Sequence, residues 1–262
     1  MSTQMNQEEL ASLEYRLITI ASGKGGVGKT WVSVTLAHAL ARAGRRVLLF
    51  DGDLGLANVD IQLGLMPDRD IGQVIANEAT LAETVVRFSE ADGSGFDVLP
   101  GKSGSGALGS LSMEALRSIR TGLSEMAANY DHVLLDLAAG IDPAVTTLSK
   151  HRGRILVVMT ADPTSLTDAY AFIKVTHMRN PNANISIVVN NVGSKREGEK
   201  AFEAIRRACE GFLKISPPLA GIIKNDAKVV DAIRSQVPLL TRHPQAEAAI
   251  DIKALAASLV GR

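Results

Sequence analysis

The clearest chemical signal in the chain is a glycine-rich segment that contains two lysines and a threonine. It reads Gly23-Lys24-Gly25-Gly26-Val27-Gly28-Lys29-Thr30 and directly follows the apolar run 17–21. Glycines allow backbone N–H groups to curl around phosphate oxygens, and a following helix adds its positive end. We therefore predict a phosphate loop for a nucleoside triphosphate, with Lys29 on the β- and γ-phosphates and the Thr30 hydroxyl on Mg²⁺. The alternative is a glycine-rich turn that binds nothing.

Acidic residues follow two further apolar runs. Asp51 and Asp53 come at the end of the second run, and Asp136 ends the run 132–136. In a doubly wound sheet the carboxyl ends of the strands face the ligand crevice. We predict that Asp53 orients the water that attacks the γ-phosphate, that Asp51 helps to order the magnesium shell and that Asp136 holds Mg²⁺ through water. The alternative for residues 51–60 is a cluster of Asx turns that only closes a loop.

The organisation of the chain supports such a crevice, because apolar β-rich runs alternate with longer helical patterns throughout. This alternation predicts an α/β fold, a doubly wound, mostly parallel sheet flanked by helices on both faces. We expect a flexible N-terminal tail over residues 1–15 and a single domain over residues 16–262. The expected strands lie near 17–22, 46–51, 96–99, 132–136, 154–160, 185–190 and 219–223. The expected helices lie near 29–43, 70–77, 80–88, 112–128, 143–150, 164–178, 197–209, 226–235 and 246–260, and Gly101–Gly109 is expected to be a flexible surface loop.

The composition excludes several classes of protein. With 46% apolar and 21% charged residues, the 262-residue chain suits a globular domain with a large core. A formal net charge of zero argues against general electrostatic binding of nucleic acid, although a local basic patch remains possible. The single cysteine, Cys209, excludes a disulfide framework and a cysteine-bridged iron–sulfur cluster. The chain shows neither a signal-peptide core nor a run of roughly 18 apolar residues, so we expect a cytoplasmic protein.

The second lysine makes the phosphate loop resemble that of the MinD/ParA ATPases, and the resemblance extends over residues 15–260. It implies a P-loop NTPase fold and a homodimer formed with ATP, in which Lys24 reaches the nucleotide of the partner subunit. We see no contact for Lys24 to make within one subunit, and its alternative is a solvated loop lysine. The resemblance also implies that the Gly140 N–H meets the γ-phosphate and that Asn190 reads the adenine edge, where the alternative for Asn190 is a turn cap. The residues expected to contact nucleotide are Gly23, Lys24, Gly25, Gly26, Val27, Gly28, Lys29, Thr30, Trp31, Gly140 and Asn190.

Two stretches are similar to the flagellar-number regulators called FlhG, FleN or YlxH. They read D-G-D-L-G-L-A-N-V-D-I-Q-L-G over 51–64 and D-P-T-S-L-T-D-A-Y-A-F-I-K over 162–174. The resemblance implies a regulatory ATPase that uses ATP and Mg²⁺, dimerises with ATP and hydrolyses it slowly to control flagellar number or placement. It implies flagellar partners, namely the FlhF GTPase, components of the switch complex or a flagellar transcription regulator, with recruitment to the cell pole or membrane through them. The catalytic residues expected are Lys24, Lys29 and Asp53, and the metal-site residues expected are Thr30, Asp51 and Asp136.

Several segments depart from the family pattern. Leu137 replaces the threonine of the D-T-A-A-G segment, and Lys224 replaces the proline of the adenine-side segment. The N-terminal stretch 6–13 matches poorly the segment with which this branch engages FlhF. Leucines in and just after this stretch form either a small apolar face for a partner or part of a disordered tail; they are Leu10, Leu13 and Leu17. The apolar stripe in 252–260 lacks aromatic residues and most basic ones, which favours a helix packed on the sheet and makes direct membrane binding doubtful.

Two other functions share the expected fold. The first is a ParA-type partition ATPase that binds DNA as an ATP dimer, which is the less favoured reading. Its basic surface would consist of Arg206, Arg207, Lys214, Lys224, Lys228 and Arg234. The second is a metabolic enzyme that couples ATP to ligation or group transfer, and no residues resembling a site for a second substrate support it.

Overall fold

The computed structural model describes residues 6–53, 57–101 and 111–260, and a single eight-stranded sheet forms its centre. The strands are β1 Leu17–Ser22, β2 Val47–Gly52, β3 Val86–Ser89, β4 Gly95–Leu99, β5 His132–Ala139, β6 Arg154–Met159, β7 Asn184–Val192 and β8 Leu219–Lys224. Their order across the sheet is β3-β4-β2-β5-β1-β6-β7-β8. All neighbours are parallel except β3 and β4. The expected α/β fold is therefore confirmed.

Helices cover both faces of this sheet. They are α1 Gln7–Leu13, α2 Lys29–Arg42, α3 Val59–Leu63, α4 Ile71–Ile75, α5 Met113–Met126, α6 Pro143–Leu148, α7 Pro163–Arg179, α8 Lys195–Leu213, α9 Ala227–Arg234, α10 Leu239–Arg242 and α11 Glu247–Val260. Side chains alternate between two cores along each central strand, so that Ile18 and Ile20 face one core whereas Leu17 and Ala21 face the other. The first core contains α2, α10 and α11, and the second contains α5, α6, α7 and α8.

The helix expected over residues 80–88 is wrong. Only Ala82–Thr84 make a short 3-10 turn, and the chain then enters β3, which pairs with β4 in an antiparallel hairpin. Phe88 lies opposite Phe96 in this pairing, and their rings lie 5.2 Å apart. The contact is favourable because cross-strand aromatic pairs stabilise a sheet. Pairing with β4 has overridden the local helical pattern.

The N-terminal residues that the structure describes form helix α1, Gln7–Leu13. Helix α1 begins with a capping box in which Asn6 and Glu9 exchange backbone and side-chain hydrogen bonds. Arg16 then donates to the carbonyls of Ala127 and Tyr130 at 2.9 and 2.8 Å. Of the three leucines considered for a partner, Leu17 is fully buried in β1 and Leu13 packs against the second core. The division into residues 1–15 and 16–262 stays a prediction.

The C-terminal helix α11 packs on the sheet, as expected. It lies against α2 and β8, and its stripe of Ile252, Leu255 and Leu259 is buried in the first core. In the part of the chain that the structure describes, no helix combines the length and apolar character needed to cross a membrane. The loop expected to be flexible lies almost wholly outside the described residues, since only Gly101 is among them.

Candidate functional site

The glycine-rich loop lies between β1 and α2, at the carboxyl edge of the sheet. Gly26 and Gly28 have φ angles of +77° and +84°, in the region that disfavours side chains. Gly23 is needed for a different reason, because a Cβ there would lie 2.0 Å from the backbone oxygen of Asp168 in α7. The loop is therefore shaped by its glycines and packed directly against α7. Helix α2 begins at Lys29, so its positive end points into the loop.

A buried ion pair joins the loop to the central strand β5. Lys29 Nζ lies 3.1 Å from Oδ1 of Asp136, and their side chains are 8% and 0% exposed. The hydroxyl of Ser33 lies 2.9 Å from the same carboxylate oxygen. Sequence reasoning missed Ser33, although its position four residues after Lys29 puts it on the same face of α2. The loop lysine and the acidic strand end thus form a buried charge pair beside the phosphate loop.

The carboxylate of Asp136 also has the character of a metal-site residue. Its second oxygen, Oδ2, is buried and has no hydrogen-bond partner among the residues that the structure describes. An unsatisfied buried carboxylate oxygen is costly unless water or a cation meets it. Thr30 lies in the first turn of α2, next to Lys29. These oxygens fit Mg²⁺ with its water shell, which prefers hydroxyl and carboxylate ligands. Their roles as metal-site residues stay predictions.

Asp51 shapes the loop that follows β2. It lies beside Asp136 in the sheet register and is 1% exposed. Its carboxylate accepts backbone N–H groups from Asn58 at 2.9 Å, Val59 at 3.0 Å and Asp53 at 3.3 Å. Burial, followed by the negative charge of Asp136, raises the pKa of Asp51 to about 7. Asp51 therefore orders this loop from within, which is compatible with both the magnesium role and the Asx-turn alternative.

Asp53 lies just after the end of β2, half-buried at the same edge of the sheet as the phosphate loop. The next three residues, 54–56, lie outside the described part of the chain. They are the middle three residues of the D-L-G-L-A motif. The position is compatible with a carboxylate that orients water near the γ-phosphate. That role stays a prediction.

Lys24 does have contacts within its own subunit, contrary to the expectation from sequence. Its ammonium lies 2.8 Å from Oδ2 of Asp162 and also donates to the hydroxyl of Thr164, at the start of α7. The two charged side chains are 40% and 48% exposed. Hydrogen bonds from Lys24 and Thr164 lower the pKa of Asp162 to about 2. The second lysine is thus held at the protein surface, away from Lys29 and Asp136.

Two residues expected to contact nucleotide are used inside the protein. The Asn190 side chain donates from Nδ2 to the carbonyl of Val27 at 2.8 Å, which braces the phosphate loop. Gly140, with a φ of +102°, donates its N–H to the carbonyl of Ser22 at 2.9 Å. Contact between this N–H and a phosphate therefore requires the loop after β5 to turn. The nucleotide roles of both residues stay predictions.

A cavity beside Asn190 has the composition of a base pocket. It has a volume of about 200 Å³, and Trp31 and Lys224 contribute to its lining. The Lys224 ammonium is bound by Glu247 at 2.6 Å, and its backbone N–H donates to Asp251 at 3.0 Å. Lys224, which replaces the proline of the family pattern, is therefore tied to α11. Leu137, the other departure, is fully buried in the second core.

Three of the six basic residues considered for a DNA surface form ion pairs within the chain. Arg206 pairs with Glu203 and Glu210, and Arg207 also pairs with Glu203. Lys224 pairs with Glu247, as described above. These pairs reduce the positive charge that Arg206, Arg207 and Lys224 could offer to phosphates.

The sequence and the fold have clear relatives. Residues 18–239 match the family described as the CobQ/CobB/MinD/ParA nucleotide binding domain. The chain is 35% identical over 241 residues to the antiactivator FleN of Pseudomonas aeruginosa, a match that covers 92% of this chain and 85% of FleN. It is 29% identical to the flagellum site-determining protein YlxH of Helicobacter pylori, over 84% of this chain and 74% of that protein.

A solved structure of MinD extends the comparison to three dimensions. The septum site-determining protein MinD of Pyrococcus horikoshii, in complex with Mg-ADP, superposes with a TM-score of 0.78 at 25% identity. The superposition covers 94% of this chain and 96% of that one.

Proposed function

The chain belongs to the CobQ/CobB/MinD/ParA nucleotide-binding family, and we propose that it is an ATP-dependent dimerisation switch that regulates flagellar number or placement. The observation that carries the proposal is the contrast between its two loop lysines. Lys29 is buried beside Asp136, whereas Lys24 lies at the surface. A surface lysine next to the phosphate loop can leave Asp162 and reach a nucleotide bound in a second copy of the chain.

ATP and Mg²⁺ would bind where the charges of the loop already converge. Lys29 would exchange Asp136 for the β- and γ-phosphates, and Asp136 would then hold water of the magnesium shell. Mg²⁺ supplies charge neutralisation on the phosphate oxygens. Asp53 orients the attacking water, and Asp51 keeps the loop that carries Asp53 in place. The MinD relative bound to Mg-ADP supports this choice of cofactor.

The flagellar assignment rests on the similarity to FleN and YlxH. YlxH is named as a flagellum site-determining protein and FleN as an antiactivator, and the FleN match spans most of both chains. The ATP dimer is then the signalling state and hydrolysis resets it. Its partners would be the FlhF GTPase, components of the switch complex or a flagellar transcription regulator. The protein would work in the cytoplasm and reach the cell pole or membrane through these partners.

Light scattering on the purified protein, with and without a non-hydrolysable ATP analogue and Mg²⁺, tests the switch. Wild type should pass from monomer to dimer with one nucleotide per subunit. Lys29→Ala should lose nucleotide affinity, whereas Lys24→Ala should bind ATP yet remain monomeric. A wild type that stays monomeric at saturating nucleotide, or equal losses of nucleotide binding in the two variants, would contradict the proposal.

The cellular role is tested in the organism of origin. Deletion of the gene should change the number or position of flagella and leave chromosome and plasmid inheritance normal. Asp53→Ala should dimerise but hydrolyse ATP poorly, so it should capture a flagellar partner more strongly than Lys24→Ala does. Normal flagellation combined with impaired DNA inheritance would reject the flagellar role and favour the partition alternative.

A further inference from the structure

A second cavity lies between α5, α6 and the end of α7. Its volume is about 590 Å³, which is within the usual range for small-molecule sites. Four cationic side chains contribute to its lining, and no carboxylate does, among the residues that the structure describes. The four cations are Arg117, Arg120, Lys150 and Arg179.

These cations are not neutralised by the protein. Among the described residues, none of the four makes an ion pair, whereas cations elsewhere commonly do, as in the Arg206–Glu203 and Arg242–Asp231 pairs. Arg120 donates from Nη1 to the backbone carbonyl of Lys150 at 3.1 Å, which fixes its guanidinium at the cavity wall. In a chain of zero net charge, four like charges in one concavity raise the local anion concentration.

A nearby negative helix terminus explains the positions of only two of the four cations. Arg179 lies in the last turn of α7, and Lys150 follows the end of α6, where cations are favoured by the negative helix terminus. Arg117 and Arg120 lie within α5, well before its end at Met126, and gain nothing of this kind. Arg117, Lys150 and Arg179 are exposed and Arg120 is half-buried, so water screens part of their mutual repulsion. An anion bound in the cavity would account for the gathering of all four cations there.

We propose that this cavity binds a compact anion that carries several phosphate groups. Three of the four cations are arginines, whose planar guanidinium groups bind phosphate with two parallel hydrogen bonds. The hydroxyls of Thr147 and Thr176 and the amide of Asn180 also contribute to the lining and supply neutral hydrogen-bonding groups. All four charged residues contribute to the lining of one cavity. A small polyphosphate fits this arrangement better than a nucleic-acid duplex, whose charges are spread along the helix axis.

The cavity is also connected to the nucleotide site. Pro143 contributes to its lining and begins α6, three residues after Gly140 in the loop that follows β5. An anion that moves α6 would therefore act on the loop expected to meet the γ-phosphate. The binding itself does not depend on the proposed switch function, so it can be tested separately.

Isothermal titration calorimetry with trimetaphosphate, a compact ring of phosphates, tests the site in the full chain already saturated with Mg²⁺ and ADP. Wild type should bind one equivalent, and the double variant Arg117→Gln, Arg179→Gln should bind about tenfold more weakly or not at all. Neither arginine has a side-chain hydrogen bond among the described residues, so the fold should persist, and ADP binding checks this. The matched control, Lys195→Gln with Arg196→Gln at the start of α8, removes two exposed charges outside the cavity and should bind like wild type.

Two further probes distinguish the ligand class. A short oligoglutamate peptide and a short DNA duplex, titrated under the same conditions, should bind more weakly than trimetaphosphate. The proposal is overturned if wild type does not bind trimetaphosphate, or if the cavity variant and the control lose affinity equally. It is also overturned if the peptide or the duplex binds more tightly and is lost in the cavity variant.

Discussion

At the scale of single residues, the two lysines of the phosphate loop differ in what surrounds them. Lys29 lies beside a buried carboxylate in a low-dielectric environment, where separation from Asp136 without a replacement partner is costly. The contact of Lys24 with Asp162 is exposed to solvent, and exposed ion pairs contribute little. Lys24 is therefore held weakly enough to exchange Asp162 for another anion, whereas Lys29 needs the phosphates themselves.

A change at Asp162 should consequently favour the dimer, by a small factor. Asp162→Asn removes the anion that holds Lys24 in its own subunit, and α7 loses no N-terminal side-chain cap because Asp162 supplies none. We expect dimerisation with a non-hydrolysable ATP analogue at a concentration about two- to fivefold lower than for wild type. Sedimentation velocity over a concentration series measures this.

The control for this prediction is Asp168→Asn, the same chemical change on the same helix, which should dimerise like wild type. An Asp162→Asn protein that dimerises more weakly than wild type would show that Asp162 acts in the interface itself instead of restraining Lys24.

At the scale of elements, Glu90 joins three pieces of the fold. It lies in the turn between β3 and β4 and accepts hydrogen bonds from Arg42 of α2 at 2.9 Å and from Thr241 of α10. His38, buried in α2, lies 2.7 Å from the same carboxylate. Burial lowers the pKa of His38, so the ring is neutral at pH 7 and donates to the carboxylate. The side chain of Glu90 thus connects the β3–β4 hairpin, which the sequence pattern did not predict, to α2 and α10.

This hydrogen-bond network makes the stability of the fold depend on pH in the acid range. Burial opposes ionisation of Glu90, but hydrogen bonds from Thr241, His38 and Arg42 outweigh it and lower its pKa to about 2. A carboxylate with a lowered pKa stabilises the fold above its unfolded-state pKa, and this contribution disappears as pH falls through about 4.5 to 2. The shift corresponds to at most about 3 kcal/mol, which solvent screening reduces to about 1–2 kcal/mol.

Glu90→Gln should therefore lower the free energy of unfolding by about 1–2 kcal/mol at pH 7, and by progressively less as pH falls below 4.5. Urea unfolding of wild type and variant between pH 7 and pH 3 measures the difference. Glu78→Gln, at an exposed glutamate without an ion pair in the described part of the chain, should change little at any pH. A Glu90→Gln deficit that is constant across this range would attribute the loss to packing and not to ionisation.

At the scale of the whole molecule, the last helix closes one of the two cores. Helix α11 covers β8 and α2, and Leu255 packs on the backbone of Gly221, where a Cβ would lie 3.6 Å from its Cδ1. The helix therefore stabilises the β8 edge of the sheet. Its apolar stripe is buried against the sheet, as the sequence predicts.

Truncation of this buried stripe should destabilise the entire domain. Leu255 is 2% exposed, so Leu255→Ala should cost about 2–4 kcal/mol of unfolding free energy through lost burial and a cavity. Ile250 on the same helix is 51% exposed, and Ile250→Ala should cost less than about 0.5 kcal/mol. Chemical denaturation measures both. Equal small losses would mean that α11 is detached from the sheet in solution.

Local sequence determined the phosphate loop and the general architecture. The glycines, Lys29 and Thr30 act within a few residues of one another, so their spacing alone predicts their conformation. The alternation of apolar strands with helical patterns predicts a parallel sheet, because each βαβ unit is itself local. The carboxylates Asp51 and Asp136 were also predictable, since strand ends of a parallel sheet meet at one edge.

Only the tertiary structure decided the contacts between distant segments. Lys24 meets Asp162 across 138 positions of sequence, and Lys29 meets Asp136 across 107. Both contacts depend on β1 lying between β5 and β6, a strand order that no local pattern encodes. Residues 80–88 carried a helical pattern, yet the chain forms β3 because the edge of β4 offers backbone hydrogen bonds and Phe96. Where a neighbouring segment supplies hydrogen bonds and buried area, that gain exceeds the small free energy of local propensity.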